Sequence, residues 1–176
     1  MEKKKIWELG RPDLETYRRV DKIPVSLIVD NVRSLNNIGS LFRTADAFLV
    51  NKIILCGISA TPPSVEIHKT ALGAEDSVAW EYRSSTLDAI ALLKEQGVVV
   101  CALEQVKGSI PLQSFVVEKE KSYAIIVGNE VDGVLQEAVD ESDCCLEIPQ
   151  FGTKHSLNVS VSAAIAMWHF FKSLHL

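Results

Sequence analysis

Leu146-Glu147-Ile148-Pro149-Gln150-Phe151-Gly152-Thr153-Lys154-His155-Ser156-Leu157-Asn158-Val159-Ser160-Val161-Ser162-Ala163-Ala164-Ile165 decides how this chain folds. A short apolar strand runs into a Pro/Gly loop, the loop ends in Ser-Leu-Asn, and a helix rich in small residues begins at once. Open α/β sheets hold ligands at such places, where strand ends meet helix mouths carrying polar side chains. Two further stretches have the same build. Val25–Asp30 leads into Asn37, Gly39 and Arg43, and Tyr123–Val127 leads into Gly128, Asn129, Glu130 and Gly133. Three polar loops at three strand ends point to a catalytic cleft.

Outward from that stretch the chain alternates in the βα manner. Strands are predicted at Val25–Asp30, Lys52–Cys56, Val98–Leu103, Tyr123–Val127 and Cys144–Ile148, with a weaker one at Ser77–Tyr82. Helices are predicted at Ile38–Phe48, Leu87–Gln96, Val134–Val139 and Leu157–Leu174. The alternation predicts an α/β fold, a mainly parallel sheet with helices on both faces. Gly97 stands where a helix C-cap is expected, and Pro62-Pro63 makes Gly57–Ser64 a loop. Residues 1–23 are charged, with Trp7, Leu9, Leu14 and Tyr17 spaced to pack as a short amphipathic helix. They read as an N-terminal arm ahead of a single domain, residues 24–176.

With 176 residues, 47% of them hydrophobic, the chain can bury a real core without staples. No apolar stretch reaches the length that spans a bilayer, and Met1–Trp7 lacks the apolar run of a signal peptide. No membrane association and a cytoplasmic location are the expectation. Cys56, Cys101, Cys144 and Cys145 show no C-x-x-C spacing and read as small buried hydrophobes; with four unclustered histidines, no metal is expected. A net charge of −5 sits against nucleic acid, which usually meets a basic domain. The distribution softens this: Arg11, Arg18, Arg19 and Lys22 cluster near the start, Arg33 and Arg43 flank the first loop, and Lys154 lies in the third.

Together the three loops resemble the SpoU-type RNA 2′-O-ribose methyltransferases of the SPOUT superfamily. The first motif of that family, Asn-x-Gly-x-x-x-Arg, is met at Asn37, Gly39 and Arg43. Its Gly-Asn-Glu-x-x-Gly loop is met at Gly128, Asn129, Glu130 and Gly133. Its last motif is met at Ile148, Pro149, Gly152, Ser156, Leu157, Asn158 and Ser160. The resemblance covers Val25 to Phe171 and implies a SPOUT-type fold with a C-terminal trefoil knot, acting as a homodimer. It implies S-adenosylmethionine as cofactor, held by the loops after Leu103, Val127 and Ile148, with Leu103, Gly128, Ile148 and Leu157 as its contacts. The last helix carries Leu157, Val161, Ala164, Ile165, Trp168, Phe171 and Leu174 at helical spacing. In the family part of this helix packs on a partner, so the stripe reads as mixed core and dimer seam.

By the same resemblance Arg43, Asn37, Glu130, Ser156 and Asn158 are the catalytic residues. Methyl transfer to a ribose hydroxyl is an in-line displacement, so the protein must position the hydroxyl, help remove its proton and exclude water. A guanidinium hardly deprotonates, so positioning and charge stabilisation are the roles for Arg43. Plainer readings stand beside these. Asn37 before Ile38–Phe48 reads equally as a helix N-cap, Ser156 as another cap, and Glu130 as an acid favoured near a helix N-terminus. Arg11, Arg18, Arg19, Arg33 and Lys154 are the expected RNA contacts. Lys69–Glu75 and the short arm look most like the tRNA-modifying TrmH group, so the expected partner is tRNA, with guanosine 18 as one target. The alternatives are rRNA methylation and a catalytically silent RNA-binding protein on the same fold. An oxidoreductase lacks its G-x-G-x-x-G, and a hydrolase its G-x-S-x-G.

Overall fold

The computed structural model describes the backbone of residues 1–176 and every side chain but that of Ile6. Parallel strands covered on both faces need no polar alternation, which is why continuous apolar runs make them here. The strands are β1 (Ile23–Asp30), β2 (Val50–Cys56), β3 (Ala79–Arg83), β4 (Val99–Leu103), β5 (Ile110–Pro111), β6 (Tyr123–Val127) and β7 (Cys144–Glu147). They form one seven-stranded sheet in the order β3-β2-β1-β6-β4-β7-β5, with every pair parallel. The expected α/β class therefore stands.

Alternate residues serve opposite faces. Leu27 and Val29 of β1 join one apolar cluster with α2 (Leu35–Ala47), α3 (Val65–Ala71) and α7 (Val159–His175). Ile28 joins the other, with α5 (Thr86–Glu95) and α6 (Gln136–Asp140). Side chains as fully buried as Leu27, Ile28, Ile53 and Ile54 each contribute about 1.5–3 kcal/mol. Burial also pushes the Cys56 thiol up to about 12, which leaves it an inert core group. No helix is long and apolar enough to cross a membrane among the described residues.

Several boundaries differ from expectation, each for a local reason. The arm forms no single amphipathic helix, because Gly10, with φ of +61°, and Pro12 interrupt it. A helical turn at Ile6–Glu8 and the short α1 (Leu14–Arg19) remain, and Trp7, Leu9 and Leu14 are exposed. Tyr17 alone of the four is buried, its hydroxyl donating to Asp46 O at 3.1 Å. Helix α2 begins at Leu35 because Ser34 caps it, accepting the Asn37 N–H at 3.3 Å. Asn37 thus sits inside the first turn and its side chain is spared for other work. At the last helix the roles are reversed: Asn158 is the cap, accepting the Ser160 N–H at 2.9 Å, and Ser156 lies before it. Helices α3 and α4 (Ala74–Ser77) and strand β5 were not anticipated. Helix α3 explains Gly39, because a Cβ there would overlap Thr70 Oγ1 and Ile67 O.

The core side of α7 is Val159, Ala163, Ala166, Met167 and Phe170. From the expected stripe, Val161, Ile165 and Trp168 are 40–47% exposed, while Ala164, Phe171 and Leu174 are half-buried. The helix is therefore apolar on two faces, and only one of them meets the sheet.

Candidate active site

Strands β4, β6 and β7 end near one another, and the loops that follow them enclose a cleft of about 480 Å³. Leu103, Gly128, Ile148 and Leu157 all line it, as do Glu130, Ser156 and Asn158. The second loop turns back tightly on itself: Asn129 and Gly133 exchange backbone hydrogen bonds of 2.9 and 3.0 Å. Gly133 takes φ of +71°, and a Cβ on Gly128 would overlap the Gly133 carbonyl and the Val134 nitrogen. Asn129 completes the turn, accepting from Val131 N at 2.8 Å and donating to Asn31 O at 2.7 Å.

One wall is a chain of polar side chains. Asn158 Nδ2 donates to Asn37 Oδ1 at 3.1 Å, and Asn37 Nδ2 donates to Glu130 Oε1 at 2.9 Å. The backbone N–H groups of Ser34 and Arg33 also donate to Glu130, at 3.1 and 3.3 Å. Burial pushes the Glu130 carboxyl up, but the Asn37 amide and the backbone amides outweigh it and hold the group below the usual carboxylate range. Glu130 is therefore charged at neutral pH. Ser156 makes no hydrogen bond among the described residues and is exposed to the cleft.

Behind the loops lies a support that sequence reasoning missed. Asp30, fully buried at the end of β1, accepts from Thr86 Oγ1 at 2.5 Å, Asn31 Nδ2 at 2.9 Å and Leu135 N at 2.8 Å. It ties the end of β1 to the starts of α5 and α6. Glu104 accepts from Gln105 N at 2.8 Å and Val134 N at 3.0 Å, and Gln105 Nε2 donates to His155 O at 2.9 Å. A carboxylate or amide at a strand end reads as ordinary loop polarity, so only the fold reveals these links. The Ser34-x-x-Asn37 cap was visible in principle, as a serine three residues before the N–H it accepts.

The arginines are placed elsewhere. Arg43 is exposed on α2, six residues after Asn37, which is roughly 9 Å along the helix axis. It lines not the cleft but a second hollow of about 750 Å³, with Arg11, Tyr17, Asp46, Leu72 and Phe171. Its guanidinium makes no hydrogen bond or ion pair among the described residues. Arg18 donates to Asp76 O at 2.9 Å beside that hollow, and Arg19 pairs with Glu15 at 2.5 Å on the surface. Arg33 is exposed next to the Glu130 wall, and Lys154 on the exposed part of the third loop. The structure therefore gathers the expected cofactor contacts and most of the expected catalytic set in one cleft, and leaves Arg43 and the cations outside it.

The family model for the SpoU rRNA Methylase family matches residues 24–168. The 23S rRNA (guanosine(2553)-2′-O)-methyltransferase RlmP of Bacillus subtilis is 32% identical over 164 residues, 93% of this chain and 62% of that protein. An AdoMet-bound rRNA methyltransferase from Sinorhizobium meliloti superposes with a TM-score of 0.80 at 27% identity, covering 90% of this chain and 60% of that one. The TrmH/SpoU tRNA modifying enzyme of A. aeolicus superposes at 0.79 with 26% identity, covering 91% and 81%. The chain spans 60–64% of the length of the curated relatives it matches.

Proposed function

The chain belongs to the SpoU rRNA Methylase family, and from that premise we propose that it transfers a methyl group from S-adenosylmethionine to a ribose 2′-hydroxyl of RNA, as a homodimer in the cytoplasm. The observation that carries this reading is the convergence of Leu103, Gly128, Ile148 and Leu157 on one cleft with Glu130, Ser156 and Asn158. The cleft suits the donor. Apolar side chains of Leu103, Ile148 and Leu157 offer a surface for an adenine, and carboxylates with no lysine or arginine among the lining residues suit a ligand bearing a sulfonium. S-adenosylmethionine supplies an already activated methyl, which leaves the protein to orient the hydroxyl and exclude water.

Glu130 braces the site and does not abstract the proton. Its two oxygens already accept from Asn37, Ser34 and Arg33, and its lowered pKa makes it a weak base. Its role is to hold Asn37, and through Asn37 the side chain of Asn158, at the cleft mouth. Ser156, with no partner of its own among the described residues, is the group left to contact the ribose. Arg43 supplies a planar charged fork for a phosphate flanking the target nucleotide.

Dimer formation is supported by the outer face of α7. Val161, Ile165 and Trp168 are exposed there, and Trp168 continues into a cluster with Phe48 and Phe171 at ring separations of 5.5–5.8 Å. This stripe runs from the cleft, which Val159 and Ser162 line, to the Arg43 hollow, which Phe171 lines. A two-fold contact with the helices antiparallel would set the Arg43 hollow of one copy beside the cleft of the other. The trefoil threading belongs to the same proposal, supported by β7 lying between β4 and β5 while α7 returns to pack on β1, β4 and β6.

For the RNA we propose tRNA, with guanosine 18 as the first nucleotide to examine. The likeness to the A. aeolicus tRNA modifying enzyme and the Lys69–Glu75 stretch support it. A second reading, rRNA, is favoured by the relative that acts on 23S rRNA in Bacillus subtilis. Transfer of labelled methyl groups to purified tRNA and rRNA, followed by mapping of the 2′-O-methylated nucleotide, separates them. Label in tRNA supports the first, label confined to rRNA the second, and label in neither RNA sinks the methyltransferase reading.

A further inference from the structure

Glu104 follows the last residue of β4 and lies half-buried in the cleft wall. A glutamate side chain is ordinarily a mobile surface group with several rotatable bonds. This one is clamped: the amides of Gln105 and Val134 each donate to one of its oxygens, at 2.8 and 3.0 Å. Gly133 approaches so closely that any Cβ there would overlap Glu104 Oε2. The carboxylate thus has a fixed place between two of the three loops that make the cleft.

Two of the other carboxylates lining the cleft are held by donors of their own. Glu130 turns toward Asn37, Ser34 and Arg33, and Glu147 accepts from Ser109 Oγ at 2.6 Å. Asp132 is exposed, no lysine or arginine lines the cleft, and His155 is the one remaining titratable side chain there. Glu104 is therefore the carboxylate held in place between the loops after β4 and β6, and no lysine or arginine lines the cleft to cancel it.

Resting on the methyl-donor reading of this cleft, we infer that Glu104 is a specificity-determining residue that favours the cationic donor over its neutral-sulfur product. Methyl transfer turns a sulfonium into a thioether: the carbon bonds to the ribose oxygen, the C–S electron pair stays on sulfur, and the hydroxyl proton leaves to water. One positive charge disappears from the cleft with each turnover. A fixed carboxylate in the wall of the cleft discriminates between those two states by on the order of tenfold, the interaction of unit charges about 12 Å apart at an effective dielectric near 20. Glu104 in this way strengthens the hold on the cationic donor and leaves that on S-adenosylhomocysteine nearly unchanged, which limits product inhibition without touching the reacting bond.

The test is calorimetric, on the full chain, with three probes: S-adenosylmethionine, S-adenosylhomocysteine, and the analogue in which an amine-bearing carbon replaces the sulfonium. Glu104→Gln should lose affinity for the two cationic probes by about tenfold and for S-adenosylhomocysteine by less than about twofold. Glu104→Asp, which keeps the charge, should keep the preference between cation and thioether even if all three bind more weakly. Equal losses for all three probes in Glu104→Gln would mean a packing role and overturn the inference, as would no loss, or loss of the preference in Glu104→Asp. Failure of all three probes to bind the wild-type chain would instead refute the methyl-donor reading itself.

Discussion

The cleft and the Arg43 hollow lie at opposite ends of the same two helices, α2 and α7, and are built in opposite ways. At the N-terminal ends, Asn37 and Asn158 join a hydrogen-bonded wall of loops in which Glu130 and Glu104 are each held by at least two donors. At the C-terminal ends, the hollow is formed by helices and has an apolar side, Leu14, Leu72 and Phe171. Of its three aspartates, Asp13 and Asp46 accept from Thr16 N and Ser77 Oγ and Asp76 accepts at its backbone carbonyl from Arg18, whereas Arg11 and Arg43 have no partner among the described residues. The two ends are therefore fitted to different ligands. The preorganised acidic cleft suits a small cation, and the hollow offers the proposed RNA two unengaged guanidinium groups.

The largest effect is expected from the loss of Arg43. Arg43→Ala should lower methyl transfer by on the order of a hundredfold or more, while the affinity for S-adenosylmethionine stays within about twofold. Turnover near wild type would end the functional assignment of the hollow. The two-fold arrangement adds a second measurement. When inactive Arg43→Ala and Asn158→Ala chains are mixed and allowed to exchange, about a quarter of the sites should have both groups intact if Arg43 serves the partner's cleft. Recovery near zero would place Arg43 with its own cleft instead.

Next in size is the brace. Glu130→Gln keeps the shape but removes the charge that organises Asn37, Ser34 and Arg33, and turnover should fall by about tenfold to a hundredfold. The Glu130 pKa is depressed in the folded state, so its contribution to stability is present above the ordinary carboxylate value of 4.5 and is lost as pH falls through the lower folded value. Thermal melts of wild type and Glu130→Gln should therefore differ at neutral pH and converge in acid. Curves that stay parallel across pH 3–7 would remove the charge from the explanation.

What the chain discloses in advance follows the same division between cleft and hollow. Strand cores were legible because parallel strands are continuous apolar runs, and Tyr123–Val127 is predicted to the residue. The cleft was legible as motifs because its loops are contiguous in sequence. Arg43 was legible as a motif residue but not as a neighbour of Arg11 and Phe171, since the hollow joins the arm, α2, α4 and α7 across long separations. Helix caps misled where two candidates stood close: Ser34 took the role expected of Asn37, and Asn158 that of Ser156. Asp30 and Glu104 were hidden because their partners, Thr86, Leu135 and Val134, are distant in the chain. Periodicity found the apolar stripe of α7 but not its direction, because that helix is apolar on both sides.

That outer stripe gives the next prediction. Trp168→Glu sets a charge into the Phe48–Trp168–Phe171 cluster, which the proposed partner copy would desolvate. Sedimentation should show the particle falling to half its mass, with the melting temperature of the monomer changed little because Trp168 is 44% exposed. An unchanged particle mass would remove α7 from the seam.

The smallest effect is expected from the arm, and it separates specific contacts from general charge. Arg19 pairs with Glu15 at 2.5 Å, but both side chains are more than three-quarters exposed, so the pair adds little to stability. Its guanidinium is available to a phosphate at little cost. Arg18 differs, since its Nη2 is already held by Asp76 O at 2.9 Å beside the Arg43 hollow. Substituting Glu at either position should weaken tRNA binding by a few-fold and flatten its dependence on salt by about one counterion per contact removed. Cofactor binding should not change, because neither residue lines the cleft. Arg18→Glu should have the larger effect of the two, since it also removes the donor to the Asp76 carbonyl and sets a negative charge at the edge of the hollow where Arg43 would meet the RNA. If Arg19→Glu weakened binding as much as Arg18→Glu, the arm would act only as diffuse charge, and the hollow would lose its standing as the place where the polyanion is held.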